Sequence, residues 1–142
     1  VSLLIRPAHA DDVAALALLA GPAITEGYVA AHRVFAASEG SLMIGFYALE
    51  KDGDRWAMRH LCVAPEWRGR GRGRWLFTDA VRRIRQTGPA TLLLTGEPEA
   101  FFVRMGAVRA GSALELDTLL WEEPLGESVS EDGLADPEPR AR

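Results

Sequence analysis

Residues 68–73 read Arg68-Gly69-Arg70-Gly71-Arg72-Gly73 and stand between an apolar run, Leu61-Cys62-Val63, and a segment with helical periodicity. Glycines at alternate positions let the backbone turn tightly and approach a ligand with no Cβ in the way, so that successive N–H groups converge on one anion. A helix starting directly behind the turn adds the positive end of its dipole. The chemistry implied is the holding of a phosphate. No Gly-Lys-Ser/Thr follows, which speaks against a nucleotide P-loop, and a dinucleotide fingerprint would open a chain's first strand–helix–strand unit instead of following a meander. Two other readings of the same residues stay open. One is a flexible arginine–glycine segment for RNA, and the other is a glycine-rich turn with no ligand. The periodic helix immediately after the run speaks against the first.

Other side chains able to do chemistry cluster just upstream. Arg59 and His60 are adjacent, so on a regular strand they face opposite sides; His60 then reads as a packed or surface histidine unless a bulge redirects it. Cys62 has no histidine in motif relation to it and reads as a small buried residue in preference to a nucleophile. As the only cysteine, it also excludes an internal disulfide framework and a cysteine-rich zinc site. Tyr28 and Tyr47 are the only tyrosines, and His9 and His32 have no recognisable partner.

The elements that must position these groups can be read from periodicity and punctuation. Leu3-Leu4-Ile5 reads as a strand that Arg6-Pro7 ends. Asp11 or Asp12 caps a helix to about Ala20, with Val13, Leu16 and Leu19 on one face. Gly21-Pro22 stops it, and Pro22 is expected in the first turn of a second helix to about His32. Residues 34–37 and 42–50 form a hairpin about Glu39-Gly40, and a turn at Lys51-Asp52-Gly53-Asp54 leads into a strand ending at Val63. Residues 72–86 form an amphipathic helix burying Leu76, Phe77, Ala80, Val81 and Ile84, closed by Gly88-Pro89. The apolar run 91–95 suits a parallel neighbour of the strand before that helix. A short helix over 97–105, ended by Gly106, precedes strands at 107–110 and 114–121. The expected class is α/β with a mixed sheet: a meander, then a strand–helix–strand crossover. From Glu122 onward Pro, Gly, Ser and acids dominate, so residues 1–121 are expected to form one domain and 122–142 a flexible acidic tail.

With 142 residues and 48% apolar composition the chain affords a single core. No apolar run approaches the roughly 18–20 residues that span a bilayer, and the start lacks a signal-peptide pattern; the expectation is a cytoplasmic protein without membrane contact. The net charge of −4 hides an asymmetry, since residues 59–85 are crowded with arginine and acids dominate from Glu115. The basic stretch coincides with the anion site and would attract a polyphosphate ligand. Arg82, Arg83 and Arg85 read as a solvated helix face. A single lysine amid Ala, Arg and Gly is the usage of a GC-rich bacterial genome.

The string Val63-Ala64-Pro65-Glu66-Trp67-Arg68-Gly69-Arg70-Gly71-Arg72-Gly73 resembles the acetyl-CoA motif of the GNAT N-acetyltransferases, Q/R-x-x-G-x-G/A after a V-x-P strand end. Arg68, Gly71 and Gly73 take its fixed places. The segment Ala100-Phe101-Phe102-Val103-Arg104-Met105-Gly106-Ala107 is similar to a second family signature, A-x-x-F-Y-x-x-x-G-F, with Phe101 and Phe102 in the F-Y places when anchored on Gly106. The resemblance covers residues 3–121. It implies that the strand before the glycine turn bulges and splays from its parallel neighbour, with pantetheine entering the gap along the backbone of Leu61, Cys62 and Val63. It implies N–H groups of Arg68, Gly69, Arg70, Gly71, Arg72 and Gly73 around the pyrophosphate, Phe101 and Phe102 beside the cofactor, and a strand N–H near Cys62 polarising the thioester carbonyl. The cosubstrate implied is acetyl-CoA, with no metal. The acceptor is a small-molecule or peptide amine, nucleic acid is not an expected partner, and the protein is a monomer or homodimer.

Both proton-carrier positions depart from the family pattern. Many members take the amine proton with a Glu on the strand before the turn and protonate sulfur with the Tyr of the F-Y pair; here those places hold Arg59 and Phe102. The Asn that opens the second signature is also absent, with Glu97 nearest its place. An amine of pKa about 10.4 is roughly a thousandth neutral near pH 7.4, a cost of about 4 kcal/mol. Acid–base help contributes about 10²–10⁴ in rate, while positioning of two reactants supplies about 7–11 kcal/mol, so losing both carriers leaves a slow catalyst and not an inert protein. Arg59 is either a solvated strand residue or a guanidinium that depresses an amine's pKa and grips a carboxylate, which points to an acidic acceptor. Tyr28, on the helical segment that edges the acceptor site in similar proteins, stands in as the acid. The alternative is an acyl-CoA-binding sensor or partner module with little or no catalysis.

Overall fold

The structure, a computed structural model, describes residues 3–95 and 98–124. Strand β1 (Leu3–Pro7) is followed by helices α1 (Val13–Ala20) and α2 (Glu26–Ala31), and then by the meander β2 (Arg33–Glu39), β3 (Leu42–Asp52) and β4 (Arg55–Val63). Helix α3 (Arg72–Arg85), β5 (Thr91–Leu94), α4 (Glu99–Arg104) and the hairpin β6 (Val108–Ala110) and β7 (Ala113–Asp117) complete it. The strands form one seven-stranded sheet in the order β1-β2-β3-β4-β5-β7-β6. Every adjacent pair is antiparallel except β4 and β5, which the α3 crossover makes parallel. The expected mixed sheet is therefore present. Among the described residues no helix is long and apolar enough to cross a membrane.

Period-two alternation sends β3 side chains to two cores. Tyr47 and Leu49 join Leu76, Phe77, Val81, Ile84 and Leu92 under α3, whereas Phe46 and Ala48 join Leu16, Ile24 and Val34 under α1. Tyr47 is fully buried, and its hydroxyl donates to Asp79 Oδ2 at 2.7 Å, which Arg83 also holds at 2.8 Å. Burial and the adjacent Asp79 carboxylate push the Tyr47 hydroxyl far above its usual range.

Local sequence differs from the simple reading in several places. Pro22 lies in the turn between the helices, and α2 starts only at Glu26, where the Thr25 hydroxyl accepts from the Tyr28 N–H at 3.1 Å as a helix cap. Asp12 is not the simple cap expected; it accepts from the His9 N–H at 2.8 Å and is gripped by both terminal nitrogens of Arg6. The last strand stops at Asp117, because its carboxylate accepts from the N–H groups of Leu119 and Leu120 and turns the chain. Arg83 and Arg85 are not merely solvated: Arg83 lies 4.2 Å over the Phe35 ring, and Arg85 donates to the carbonyls of Thr118 and Trp121. The chain after β7 thus wraps α3, and Trp121 donates to the Met105 carbonyl. Glu97 and residues 125–142 of the expected tail lie outside the described residues.

The meander carries two register shifts, one between β2 and β3 at Ala37/Ser38 and one between β3 and β4. Ala48 pairs with His60 and Leu49 with Met58, so Arg59 is an extra residue on β4, a bulge. It switches the phase of the strand: Trp56, Met58, Leu61 and Val63 all face the α3 core, while Cys62 packs with the α1 core. On β3, Gly45 sits opposite Val63, where a Cβ would come within 2.2 Å of the Cys62 carbonyl oxygen. Only glycine permits that approach.

Candidate functional site

The parallel pairing of β4 and β5 runs from Arg55–Thr91 to Met58–Leu94 and stops, because β5 ends at Leu94. Strand β4 continues past the Arg59 bulge, with residues 60–63 paired with β3 on its other side. Among the described residues a gap thus opens in the β4–β5 ladder at Leu61, Cys62 and Val63, from the bulge to the glycine turn.

After Val63 the Ala64 N–H donates to the Ile44 carbonyl at 2.7 Å, and Pro65 opens a single 3₁₀ turn ending at Trp67. Gly69 and Gly71 adopt φ of 75° and 77°, the left-handed region that a Cβ disfavours, and Gly71 is the N-cap of α3. The Trp75 N–H donates to the Gly71 carbonyl at 3.1 Å, which sets the start of α3 directly behind the glycine turn. Gly73 is buried in that turn. Arg68 has a different part: its N–H donates to Pro65 at 3.3 Å and its Nε to the Val63 carbonyl at 3.1 Å, which ties the turn to the strand end. Arg70 and Arg72 lie over the Trp67 ring at 5.2 and 5.4 Å, and Arg74 pairs with Glu123 at 2.6 Å. Arg70 and Arg72 thus share one ring while Arg68 and Arg74 turn elsewhere, so the four arginine side chains have no common target among these contacts.

On the α1 side of the gap the bulge brings together residues that the sequence leaves separate. Tyr28 Oη and His60 Nδ1 are 2.9 Å apart. His32 stacks on the Tyr28 ring at 3.9 Å and donates through Nδ1 to the Tyr28 carbonyl at 3.0 Å. Burial lowers the His60 pKa below its ordinary value, with the His32 charge adding to the effect. Burial raises that of Tyr28, whose hydroxyl also feels Arg59, Glu50 and Cys62. Cys62 is half-buried. Arg59 is about half exposed and pairs with Glu50 of β3 at 2.8 Å. Regular alternation missed His60 and His32; the adjacent Arg59-His60 was the one place where a bulge would have redirected the imidazole.

Phe101 and Phe102, expected beside the cofactor, are 1% and 3% exposed, with ring centroids 5.9 and 6.0 Å from Phe77. The short α4 has to cover the sheet with its apolar face, and these two rings do so. They support the fold under α3 and present no open ring.

The family model described as an acetyltransferase (GNAT) domain matches residues 30–106, more than half of the chain. Among solved structures the chain resembles the N-acetylglutamate synthase from Neisseria gonorrhoeae complexed with coenzyme A and N-acetyl-glutamate, at TM-score 0.73 and 18% identity over 83% of this chain. It covers 35% of that longer protein, so it spans about a third of its length. It also resembles the ribosomal-protein-S18-alanine N-acetyltransferase from Escherichia coli, at TM-score 0.71 and 18% identity, covering 88% of this chain and 99% of that one. A GNAT-family acetyltransferase from Brucella melitensis in complex with acetyl-CoA matches at TM-score 0.66 and 15% identity, covering 87% of this chain and 92% of that one. Identities this low show the fold alone. No curated protein matches the chain.

Proposed function

The chain belongs to the GNAT acetyltransferase family, and from that premise we propose that it transfers an acetyl group from acetyl-CoA directly to a primary amine of a small molecule or peptide. One observation carries the reading. The parallel strand pair comes apart at Met58, and the chain reaches a left-handed glycine turn at a helix N-terminus immediately beyond Val63. A strand edge that has parted from its parallel neighbour suits the amides of pantetheine, and the N–H groups of the turn and helix end suit a pyrophosphate.

In this reading the backbone of Leu61, Cys62 and Val63 lines pantetheine, and a strand N–H near Cys62 polarises the thioester carbonyl. Gly69, Arg70, Gly71, Arg72 and Gly73 hold the pyrophosphate through their backbone, while Arg68 acts chiefly by bracing the turn. Phe101 and Phe102 act from beneath, by packing. Acetyl-CoA supplies the activated acetyl group; the protein supplies orientation, worth about 7–11 kcal/mol of barrier in favourable cases. Arg59 stands at the bulge, and an acceptor carboxylate can displace Glu50 from it cheaply, since exposed pairs are worth about 0–1 kcal/mol.

A second reading, an acyl-CoA-binding module with little catalysis, is favoured by Phe102, which is buried and has no hydroxyl to protonate sulfur. Calorimetric titration with acetyl-CoA and CoA, followed in the same preparation by thiol release over a panel of neutral and acidic amines, separates the two. Micromolar binding with amine-dependent thiol release is the expected result. Binding without release would favour the module, and absence of binding would refute both.

A further inference from the structure

Tyr28 and His60 meet beside the α1 core, Tyr28 packed against it from α2 and His60 against its Phe46 from β4. Tyr28 is held on α2 by the Thr25 cap, by the His32 ring stacked on its own, and by the His32 bond to its carbonyl. His60 is carried by the part of β4 that has left β5, one residue past the bulge and two before Cys62, and its ring also packs 5.8 Å from Phe46. The two polar ends meet at 2.9 Å in a half-buried position. Were β4 regular through Arg59, His60 would face the α3 core and no such pair would exist. Neither residue is in the places where similar proteins carry their proton donors and acceptors, and those places here hold Arg59 and Phe102.

We propose that Tyr28 and His60 are the acid–base pair of the transfer, with His60 accepting the proton of the attacking amine at Nε2 and Tyr28 giving its hydroxyl proton to the leaving thiolate. This rests on the acetyltransferase reading and deepens it. In the tautomer required, His60 Nδ1–H donates to Tyr28 Oη, which leaves the Nε2 lone pair and the phenolic proton both available. As the C–N bond forms and the C–S bond breaks, the amine's surplus proton passes to Nε2, sulfur receives the proton of Tyr28, and Tyr28 recovers one from Nδ1. The imidazole ends neutral as its other tautomer, and one proton has moved from nitrogen to sulfur. No other reactant is needed.

The surroundings set the resting state from which both groups would act. Burial keeps the imidazole neutral near pH 7, ready to accept, and keeps the Tyr28 hydroxyl protonated, ready to donate. The titratable and charged groups facing the pair are His32 on α2, Glu50 on β3, and Arg59 and Cys62 on β4 itself. Burial and His32 disfavour a positive charge on His60, which favours passing its Nδ1 proton on to Tyr28.

The test uses the full chain with Tyr28→Phe, which keeps the ring and its stacking, and His60→Gln. With the best amine of the panel, kcat is expected to fall about 10²-fold or more in each, with CoA affinity by calorimetry unchanged. The acidic limb of the wild-type kcat profile, below the ordinary histidine value of about 6.5, is expected to vanish in His60→Gln. In the cofactor-free protein, an imidazole titration followed by NMR is expected to show the His60 midpoint displaced by Tyr28→Phe. Unchanged kcat and pH profile with an active wild type would overturn the pair and leave the acetyltransferase reading standing. Joint loss of CoA affinity and kcat would make the pair structural and overturn it equally. A wild type that releases no thiol with any amine would remove the parent reading, and this inference with it.

Discussion

Arg59 has two consequences at the scale of a single residue. As the bulge residue it redirects everything after it on β4, and as a cation paired with Glu50 it stands at the mouth of the gap. Its side chain is 48% exposed, so removing it costs little stability. Arg59→Ala is expected to raise KM for acidic amines several-fold and to leave neutral amines nearly unaffected in steady-state assays. Equal behaviour of both classes would deny it any part in acceptor choice. Gly45 is the opposite kind of residue, needed for what it lacks. A Cβ 2.2 Å from the Cys62 carbonyl would push β4 outward, so Gly45→Ala is expected to destabilise by roughly 1–3 kcal/mol and to weaken CoA binding together, as read by thermal melts and calorimetry. A melt unchanged within about 0.5 kcal/mol would show that the strand yields freely.

At the scale of elements, the approach of α1 to β1 depends on one clip. The Arg6 guanidinium grips both oxygens of Asp12, at 2.9 and 2.8 Å, and holds its carboxyl at about 2, below the ordinary range. A carboxyl whose native pKa is depressed contributes stability that is fully present above the unfolded value and is lost as pH falls through the native one. The window is therefore about pH 4 down to about pH 2, and since Arg6 is a third exposed the contribution is about 1 kcal/mol after screening. Asp12→Asn is expected to lower the melting temperature at pH 7 and to flatten its decline over that acid window. A decline as steep as in the wild type would assign the acid sensitivity to other carboxylates. Crossover helix α3 needs no such clip, because its apolar face from Leu76 to Ile84 is buried against the sheet.

For the whole molecule, what was legible in the sequence is what depends on neighbours along the chain. The Asp52-Gly53 turn, the periodicity of α3 and the glycine run after Pro65 each carry their own local physics, so the meander, the crossover and the glycine turn could be read directly. The bulge depends on which β3 residue faces which β4 residue, a matter of pairing across a hairpin, and so the Tyr28–His60 meeting was out of reach. Burial was likewise invisible at Phe101 and Phe102: the spacing to Gly106 matches a signature, while the depth of their rings is set by Phe77 on another element. Nor could Arg74, in the first turn of α3, be matched with Glu123 before the wrap of the chain around that helix was known. The central claim joins two distant features into one cleft, the edge of β4 that extends beyond β5 and the glycine turn. Amide hydrogen exchange with and without saturating acetyl-CoA tests that union directly. Slowed exchange confined chiefly to residues 59–63 and 69–74 is the predicted result, and protection elsewhere, or none at either segment, would contradict it.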